Sequence, residues 1–149
     1  MEDHSLAFVR EEESILCTGQ ALRFASRIGF TGESLWQIAT SVSELATNAI
    51  KYAGGGTITF RSLGEPRPGI EIVIVDRGPG IEQIEQAFQD GFTRGRMLPE
   101  DELLQCTRDG FGGGLGAVRR LMDHVEMSNR EGGGLEVVIF KWLPGTGLL

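Results

Sequence analysis

Residues 43–53 read SELATNAIKYA and belong to the strongest helix signal in the chain. Across residues 33–53 apolar side chains recur at steps of three and four, at Leu35, Ile38, Val42, Leu45 and Ala49. This spacing predicts a helix with one apolar side. Helical geometry places Glu44, Asn48 and Lys51 within about 60° of one another on a different side. That side therefore carries a carboxylate, an amide and an ammonium group in a row.

The three polar groups on this helix have complementary chemistry. A carboxylate such as Glu44 can take a proton from a hydroxyl group. The amide oxygen of Asn48 is a hard ligand that suits Mg²⁺, and the ammonium group of Lys51 can pair with phosphate. A solvated helix face with a Glu–Lys pair would show the same residues. The helix alone leaves both interpretations open.

The rest of the chain alternates between helical and strand patterns. We expect helices at 11–28, 33–53, 81–90 and 115–124. We expect strands at 5–9, 57–62, 70–75, 125–129 and 135–142. In the first helix the apolar spacing runs through Ile15, Leu16, Leu22, Ala25 and Ile28. The pattern predicts an α+β fold, a two-layer sandwich in which a mixed, mostly antiparallel sheet carries its helices on one face.

Length and composition narrow the class of protein. A chain of 149 residues suits one domain, and its net charge of −7 argues against affinity for nucleic acid or for an anionic membrane surface. The two cysteines and two histidines have no zinc-site spacing. The first residues lack the pattern of a secretory signal, and no apolar run is long enough for a membrane span. We therefore expect a cytoplasmic protein.

Two glycine motifs follow the central helix. Residues 75–80 read VDRGPG directly after a strand, which allows the backbone to turn sharply and approach a ligand, although an ordinary tight turn has the same composition. Residues 110–121 read GFGGGLGAVRRL, a glycine-rich loop that opens onto a helix. Backbone N–H groups in such a loop can hold phosphate, and a simple hinge loop would look similar.

The order of these motifs is more specific than any one of them. E-x-x-x-N on a helix, D-x-G-x-G after a strand and G-x-G-x-G before a helix together resemble the GHKL ATPase superfamily. The segments VREEESILCTGQALRFASRIGF, IATSVSELATNAIKYA and VVIFKWL are similar to its switch-kinase branch, the small serine/threonine kinases related to anti-sigma factors. The resemblance implies a Bergerat-type ATPase fold that uses ATP and Mg²⁺. It also implies a STAS-domain partner that is phosphorylated, either an anti-sigma antagonist or the scaffold of a stress complex, and a downstream phosphatase or sigma factor.

The resemblance assigns a role to each matching residue. Glu44 corresponds to the general base, Asn48 to the Mg²⁺ ligand and Lys51 to a phosphate contact. Asp76 corresponds to the carboxylate that accepts a hydrogen bond from the adenine amino group. The remaining positions are glycines beside the base and residues of the lid that wraps the phosphates, at Gly78, Gly80, Gly112, Gly113, Gly114, Leu115 and Gly116.

The chain departs from the family pattern in two places. Leu135 follows the last glycine cluster where the family often has Thr, which removes a hydroxyl near the adenine. Residues 93–109 lengthen the lid, so we expect a single domain over 1–149 with an extended lid around 91–116. Two alternatives to a kinase remain: an anti-sigma factor that sequesters a sigma factor, and a non-catalytic module of the same fold.

Overall fold

A computed structural model describes residues 2–78, 92–93, 96–97 and 114–145. Its helices are α1 (Glu11–Ile28), α2 (Gly32–Ala53) and α3 (Leu115–Leu121). Its strands are β1 (His4–Phe8), β2 (Gly56–Leu63), β3 (Gly69–Asp76), β4 (Phe92–Thr93), β5 (Arg96–Met97), β6 (His124–Asn129) and β7 (Leu135–Trp142). None of the helices in these ranges has the length and hydropathy of a membrane span.

Five strands form the main sheet, in the order β1-β2-β3-β7-β6. Every pairing between them is antiparallel. The strand β7, last along the described chain, therefore lies between β3 and β6. The expected α+β sandwich with a mostly antiparallel sheet is confirmed, and β4 pairs with β5 in a separate two-stranded ladder.

The core lies between one face of this sheet and the helices. Phe60, Ile72 and Ile139 face one another across β2, β3 and β7 and are fully buried. Side chains alternate between the two faces of a strand, so the neighbours of these residues point to the other side of the sheet. The helices contribute Cys17, Phe24, Ile38, Val42 and Leu45 to the same cluster. The helices thus cover one face, which gives two layers.

Helix α1 turns a different side to this core from the one its apolar spacing suggested. Cys17, Ala21 and Phe24 are buried, whereas Ile15 is 74% exposed and Leu16 50% exposed. The predicted helix is confirmed, but Ile15, Leu16 and Leu22 of its apolar spacing are not the residues that form the packed side. Small residues at positions 17, 21 and 25 let α1 approach α2 and the sheet closely, and the larger aliphatic side chains remain outside.

The ends of α2 and α3 show what limits each helix. After α2, Gly54 adopts a left-handed conformation with φ of 75°. Its N–H donates to Ile50 O and the Gly55 N–H donates to Ala49 O, which closes the helix as a glycine C-cap does. Helix α3 ends at Leu121 rather than at the predicted 124. Asp123 is already tied to β7, because its N–H donates to the Phe140 carbonyl, so the chain leaves the helix.

Two predicted features lie outside the described residues. They are the short helix at 81–90 and the larger part of the extended lid around 91–116.

Candidate functional site

The three polar residues of α2 differ in how deeply they are buried. Glu44 is only 4% exposed, Asn48 is half-buried one turn later, and Lys51 is exposed near the end of the helix. The carboxylate of Glu44 is therefore not part of a solvated helix face. A buried carboxylate normally has hydrogen-bond partners, yet within the described part of the chain Oε1 of Glu44 accepts none.

Burial changes the acidity of this carboxyl group. Loss of solvation raises the pKa of Glu44 above its ordinary value of 4.5, and the positive charge of Lys51 acts in the opposite direction. A carboxylate with a raised pKa and an unused oxygen is well suited to accept a proton.

Ser41 is a second buried polar residue on α2, and sequence reasoning missed it. Its side chain is fully buried, and its hydroxyl oxygen has no hydrogen-bond partner in the part of the chain that the structure describes. Ser41 precedes Glu44 by three residues, so the two side chains are neighbours on the helix surface. The sequence feature that could have identified Ser41 is its position three residues before Glu44, directly ahead of the E-x-x-x-N motif.

The end of β3 holds a second carboxylate in a fixed orientation. Oδ1 of Asp76 accepts hydrogen bonds from the N–H of Gly78 at 2.9 Å and from the N–H of Leu135 at 3.1 Å. Neither bond engages Oδ2. The side chain is half-buried. Its orientation is set by one backbone donor two residues later in the chain and by a second donor from the start of β7.

Two glycines allow the segments around Asp76 to meet. A Cβ at Gly78 would lie 2.5 Å from the Cβ of Ala53, at the end of α2. A Cβ at Gly134, whose φ is 102°, would overlap the carbonyl oxygen of Asp76. The end of α2, the end of β3 and the turn before β7 are therefore in close contact. Gly78 and Gly134 thus allow the close approach of neighbouring backbone segments.

This contact brings the E-x-x-x-N motif of α2 close to the D-x-G-x-G motif that follows β3. Gly78 touches the last residue of α2, and a helix rises 1.5 Å per residue. Asn48 therefore lies about 8 Å, and Glu44 about 14 Å, further back along the helix axis. Asp76 thus lies near the C-terminal end of α2, whereas Asn48 and Glu44 lie progressively closer to the middle of this helix.

The third motif is described only in part. Gly114 immediately precedes α3, Leu115 is half-buried against the core and Gly116 is buried. Helix α3 packs against α2, which brings the start of this helix to the same helical layer. Gly80, Gly112 and Gly113 lie outside the described residues.

The two-layer fold and the order of the motifs are typical of the histidine kinase-like ATPase domain, and comparison with known families supports this assignment. The family described as the histidine kinase-like ATPase domain matches residues 17–142. The chain belongs to this family.

Relatives of known function lie in the switch-kinase branch that the motifs predicted. The chain is 34% identical to the serine/threonine-protein kinase RsbT of Bacillus subtilis over 145 residues, which covers 96% of this chain and 99% of that protein. It is 34% identical to the serine-protein kinase RsbW of Oceanobacillus iheyensis, over 72% of this chain and 66% of RsbW. It is 31% identical to the anti-sigma F factor of Clostridium acetobutylicum, over 79% of this chain and 77% of that factor.

Solved structures share the fold at lower sequence identity. The mycobacterial sensor histidine kinase MprB aligns with a TM-score of 0.54 and 19% identity, over 93% of this chain and 97% of that chain. Full-length ShkA in complex with AMPPNP aligns with a TM-score of 0.52 and 18% identity, over 95% of this chain. This chain spans only 31% of ShkA.

Proposed function

We propose that this protein is an ATP- and Mg²⁺-dependent serine/threonine kinase that phosphorylates a STAS-domain regulatory protein in a bacterial partner-switching pathway. The observation that carries the proposal is the buried Glu44 carboxylate with an unpartnered oxygen, one helical turn from Asn48. RsbT and RsbW are named as protein kinases, and the likeness to RsbT extends over almost the full length of both chains. We further propose the cytoplasm as the place of action.

In this proposal the adenine base binds beside Asp76 at the end of β3, close to the C-terminal end of α2. Oδ1 of Asp76 is occupied by two backbone donors, so Oδ2 is the oxygen offered to the exocyclic amino group of adenine. Side chains at Gly78 or Gly134 would overlap their neighbours, so glycine at both positions allows the two backbone donors to reach Asp76. Leu135 replaces the expected hydroxyl, but its backbone N–H orients Asp76 instead.

The phosphates would then lie along α2 toward Asn48. Mg²⁺ held there by the Asn48 amide oxygen would offset the charge of the phosphates. Lys51 would add a phosphate contact from the exposed end of the helix. The backbone of Gly80 would pass beside the base, and residues 112–116 would supply N–H groups to the phosphates from the lid. We propose one domain over 1–149, with 91–116 as this extended lid.

In the transfer step, Glu44 would accept the proton of the Ser or Thr hydroxyl of the protein substrate. The low exposure of Glu44 raises its affinity for that proton, since the neutral form is favoured in a poorly solvated environment. The other residues contribute mainly by positioning and by electrostatic stabilisation, as expected for phosphoryl transfer.

A transfer assay tests the kinase proposal. The protein is incubated with radiolabelled ATP, Mg²⁺ and candidate STAS-domain proteins from the same genome. We expect Glu44→Gln to lower the transfer rate by about a hundredfold or more, the usual contribution of a general base. Glu33→Gln, an exposed carboxylate in the first turn of the same helix, serves as the matched control. Transfer by Glu44→Gln at the wild-type rate would exclude Glu44 as the base.

The anti-sigma function is a second candidate because the anti-sigma F factor is a relative over most of its length. A pull-down with sigma factors and STAS proteins as competing preys separates the two functions. Capture of a sigma factor, released by an unphosphorylated STAS protein, would favour the anti-sigma role. A fluorescent ATP titration addresses the alternative of a non-catalytic binding module, which predicts that the wild-type protein has little affinity for nucleotide.

A further inference from the structure

Ser41 extends the polar row of α2 by one turn. Positions 41, 44, 48 and 51 follow one another at steps of three, four and three residues. At 100° per residue they fall within about 80° of one another around the helix axis. The row thus begins with a buried hydroxyl group, continues with the buried carboxyl group of Glu44 and ends with the exposed ammonium group of Lys51.

Hydroxyl groups of α1 show how a helix usually satisfies such a side chain. The Ser14 hydroxyl donates to the Glu11 carbonyl at 2.6 Å, and the Thr18 hydroxyl donates to the Ser14 carbonyl at 3.0 Å. Bonds of this kind, to the preceding turn, are common for Ser and Thr inside a helix. Ser41 is more deeply buried than Ser14, yet its hydroxyl makes no such bond in the described part of the chain. The hydroxyl of Ser41 therefore needs a different partner.

Packing alone does not explain serine at position 41. Alanine has a higher helix propensity and brings no polar group into the core. A buried hydroxyl group without a hydrogen bond destabilises the folded state. Ala46 and Ala49 are also buried on α2, and there the helix uses alanine. The hydroxyl group of Ser41 therefore has a role beyond filling space.

The atom that complements this hydroxyl group is Oε1 of Glu44. Among the described side chains, these two oxygens are the ones buried without a hydrogen-bond partner. Residues three apart on a helix have Cβ atoms about 5–6 Å apart. One water molecule, with a hydrogen bond of about 2.8 Å to each oxygen, spans such a gap. A hydroxyl group and a water can both donate and accept, and a carboxylate oxygen requires a donor.

We propose that Ser41 is a positioning residue for phosphoryl transfer, linked through one enclosed water to Oε1 of Glu44. The inference rests on the proposed function, in which Glu44 is the general base. The link holds Oε1 inside the fold and turns Oε2 toward the hydroxyl group of the protein substrate. As the substrate oxygen bonds to the γ-phosphorus and ADP leaves, the hydroxyl proton passes to Oε2. Oε1 remains an acceptor, so the link persists through the transfer.

A double-mutant cycle in the nucleotide-free protein tests the link. Calorimetry compares the Tm of wild type, Ser41→Ala, Glu44→Met and the double variant. Methionine is about as long as glutamate but has only a weak acceptor, so Glu44→Met removes the link from its other end. We expect Ser41→Ala to lower the Tm of the wild type by about 3 °C or more, because Oε1 loses its donor. The same substitution in Glu44→Met should not lower the Tm.

The opposite sign is expected if Ser41 has no partner at all. Removal of an unsatisfied buried hydroxyl group is neutral or stabilising. Ser41→Ala would then keep or raise the Tm in both backgrounds, and this result would overturn the proposal.

Steady-state kinetics of transfer to the protein substrate test the positioning role. Ser41→Ala should lower kcat about tenfold and leave the KM for ATP-Mg within about twofold, because the link orients the base and does not contact the nucleotide. Ser43→Ala is the matched control, since it removes a hydroxyl from a half-buried position on another side of the same helix. It should change neither constant. A Ser41→Ala variant with unchanged kcat would refute the positioning role.

Infrared spectroscopy reads the carboxyl group of Glu44 without any transfer reaction. The difference between ¹³C-glutamate-labelled wild type and Glu44→Gln isolates its stretching band. We expect this band to shift in Ser41→Ala and not in Ser43→Ala. An unshifted band, together with normal transfer by the wild type, would overturn the link and leave the proposed function intact. A shifted band and coupled Tm values, without transfer to any STAS-domain protein, would confirm the link and refute the proposed function.

Discussion

At the level of single residues, the burial of Glu44 has a cost that can be measured. The folded protein raises the pKa of this carboxyl through loss of solvation. Folding therefore favours the protonated form, and the stability associated with it is lost as the pH rises through the raised pKa. Each unit of pKa shift corresponds to about 1.4 kcal/mol.

Glu44→Gln should accordingly be more stable than the wild type at pH 7, although it is catalytically impaired. The gain should be absent below about pH 4, where the carboxyl is protonated in both folded and unfolded chains, and should grow as the pH rises. Chemical denaturation of both proteins across this pH range measures the difference. A gain that is independent of pH would show that the charge of Glu44 is not its cause.

Gly134 carries the second prediction at this scale. Gly134→Ala introduces a Cβ that overlaps the Asp76 carbonyl at a left-handed φ, so we expect a loss of about 2 kcal/mol or more. Gly132→Ala is the control, since its φ of 87° is also left-handed but its Cβ would meet no atom within 4 Å. Urea unfolding should show the smaller loss for Gly132→Ala. Equal losses would mean that backbone strain, rather than the contact with Asp76, dominates.

At the level of elements, Lys141 joins α3 to the sheet. Its buried ammonium group donates to the Leu121 carbonyl, at the C-terminal end of α3, at 2.7 Å. The same nitrogen lies 3.8 Å from Oδ1 of Asp123. A cation at a helix C-terminus also interacts favourably with the helix dipole. The short α3 thus ends on a side chain supplied by strand β7.

Lys141→Met should keep most of the packing but leave the Leu121 carbonyl without its donor. We expect a loss of about 1–3 kcal/mol, the usual cost of an unsatisfied buried acceptor. Lys141→Arg keeps the positive charge and should lose less. Guanidinium chloride unfolding of the three proteins measures the difference, and a Met variant as stable as the wild type would contradict this role.

The sequence predicted the individual helices and strands better than it predicted how these elements pack and pair with one another. Local periodicity located α1 and β7 with the bounds that the structure has, and it correctly located the end of α2 at residue 53. The apolar spacing of α1 did not indicate which side of the helix faces the core, because periodicity detects apolar residues and not which of them is covered. The position of β7 between β3 and β6 depends on pairings between distant segments, which local patterns do not contain.

The same distinction holds for the candidate site, where local motifs identify residues but not their burial or their contacts with distant segments. The sequence motifs identify Glu44, Asn48 and Asp76 as candidate site residues. The burial of Glu44 and of Ser41 arises from what packs over α2, so the helix pattern alone could not reveal it. The Leu135 N–H that orients Asp76 was missed because a backbone donor has no sequence signature.

At the level of the whole molecule, nucleotide binding should stabilise the fold. A ligand that binds only the folded state adds about 2.7 kcal/mol at a hundred times its Kd. For a protein of this size that corresponds to a rise in Tm of about 5–10 °C. Differential scanning calorimetry with ATP and Mg²⁺ measures the shift.

Asp76→Asn is the matching control for this measurement. It keeps an oxygen for the Gly78 and Leu135 donors but can replace the second oxygen with an NH₂ group, which cannot accept from adenine. The variant should therefore melt without a nucleotide-dependent shift. A shift equal to that of the wild type would remove Asp76 from the proposed base contact.

The place of β7 in the sheet has a consequence for synthesis of the protein. Of the main-sheet strands, β7 is translated last, yet it pairs with both β3 and β6. A nascent chain that has released only β1, β2 and β3 from the ribosome lacks the Leu135 donor to Asp76 and the Lys141 donor to α3. The proposed base contact is therefore completed only after β7 has left the ribosome, so a nascent chain that lacks β7 is not expected to compete for nucleotide.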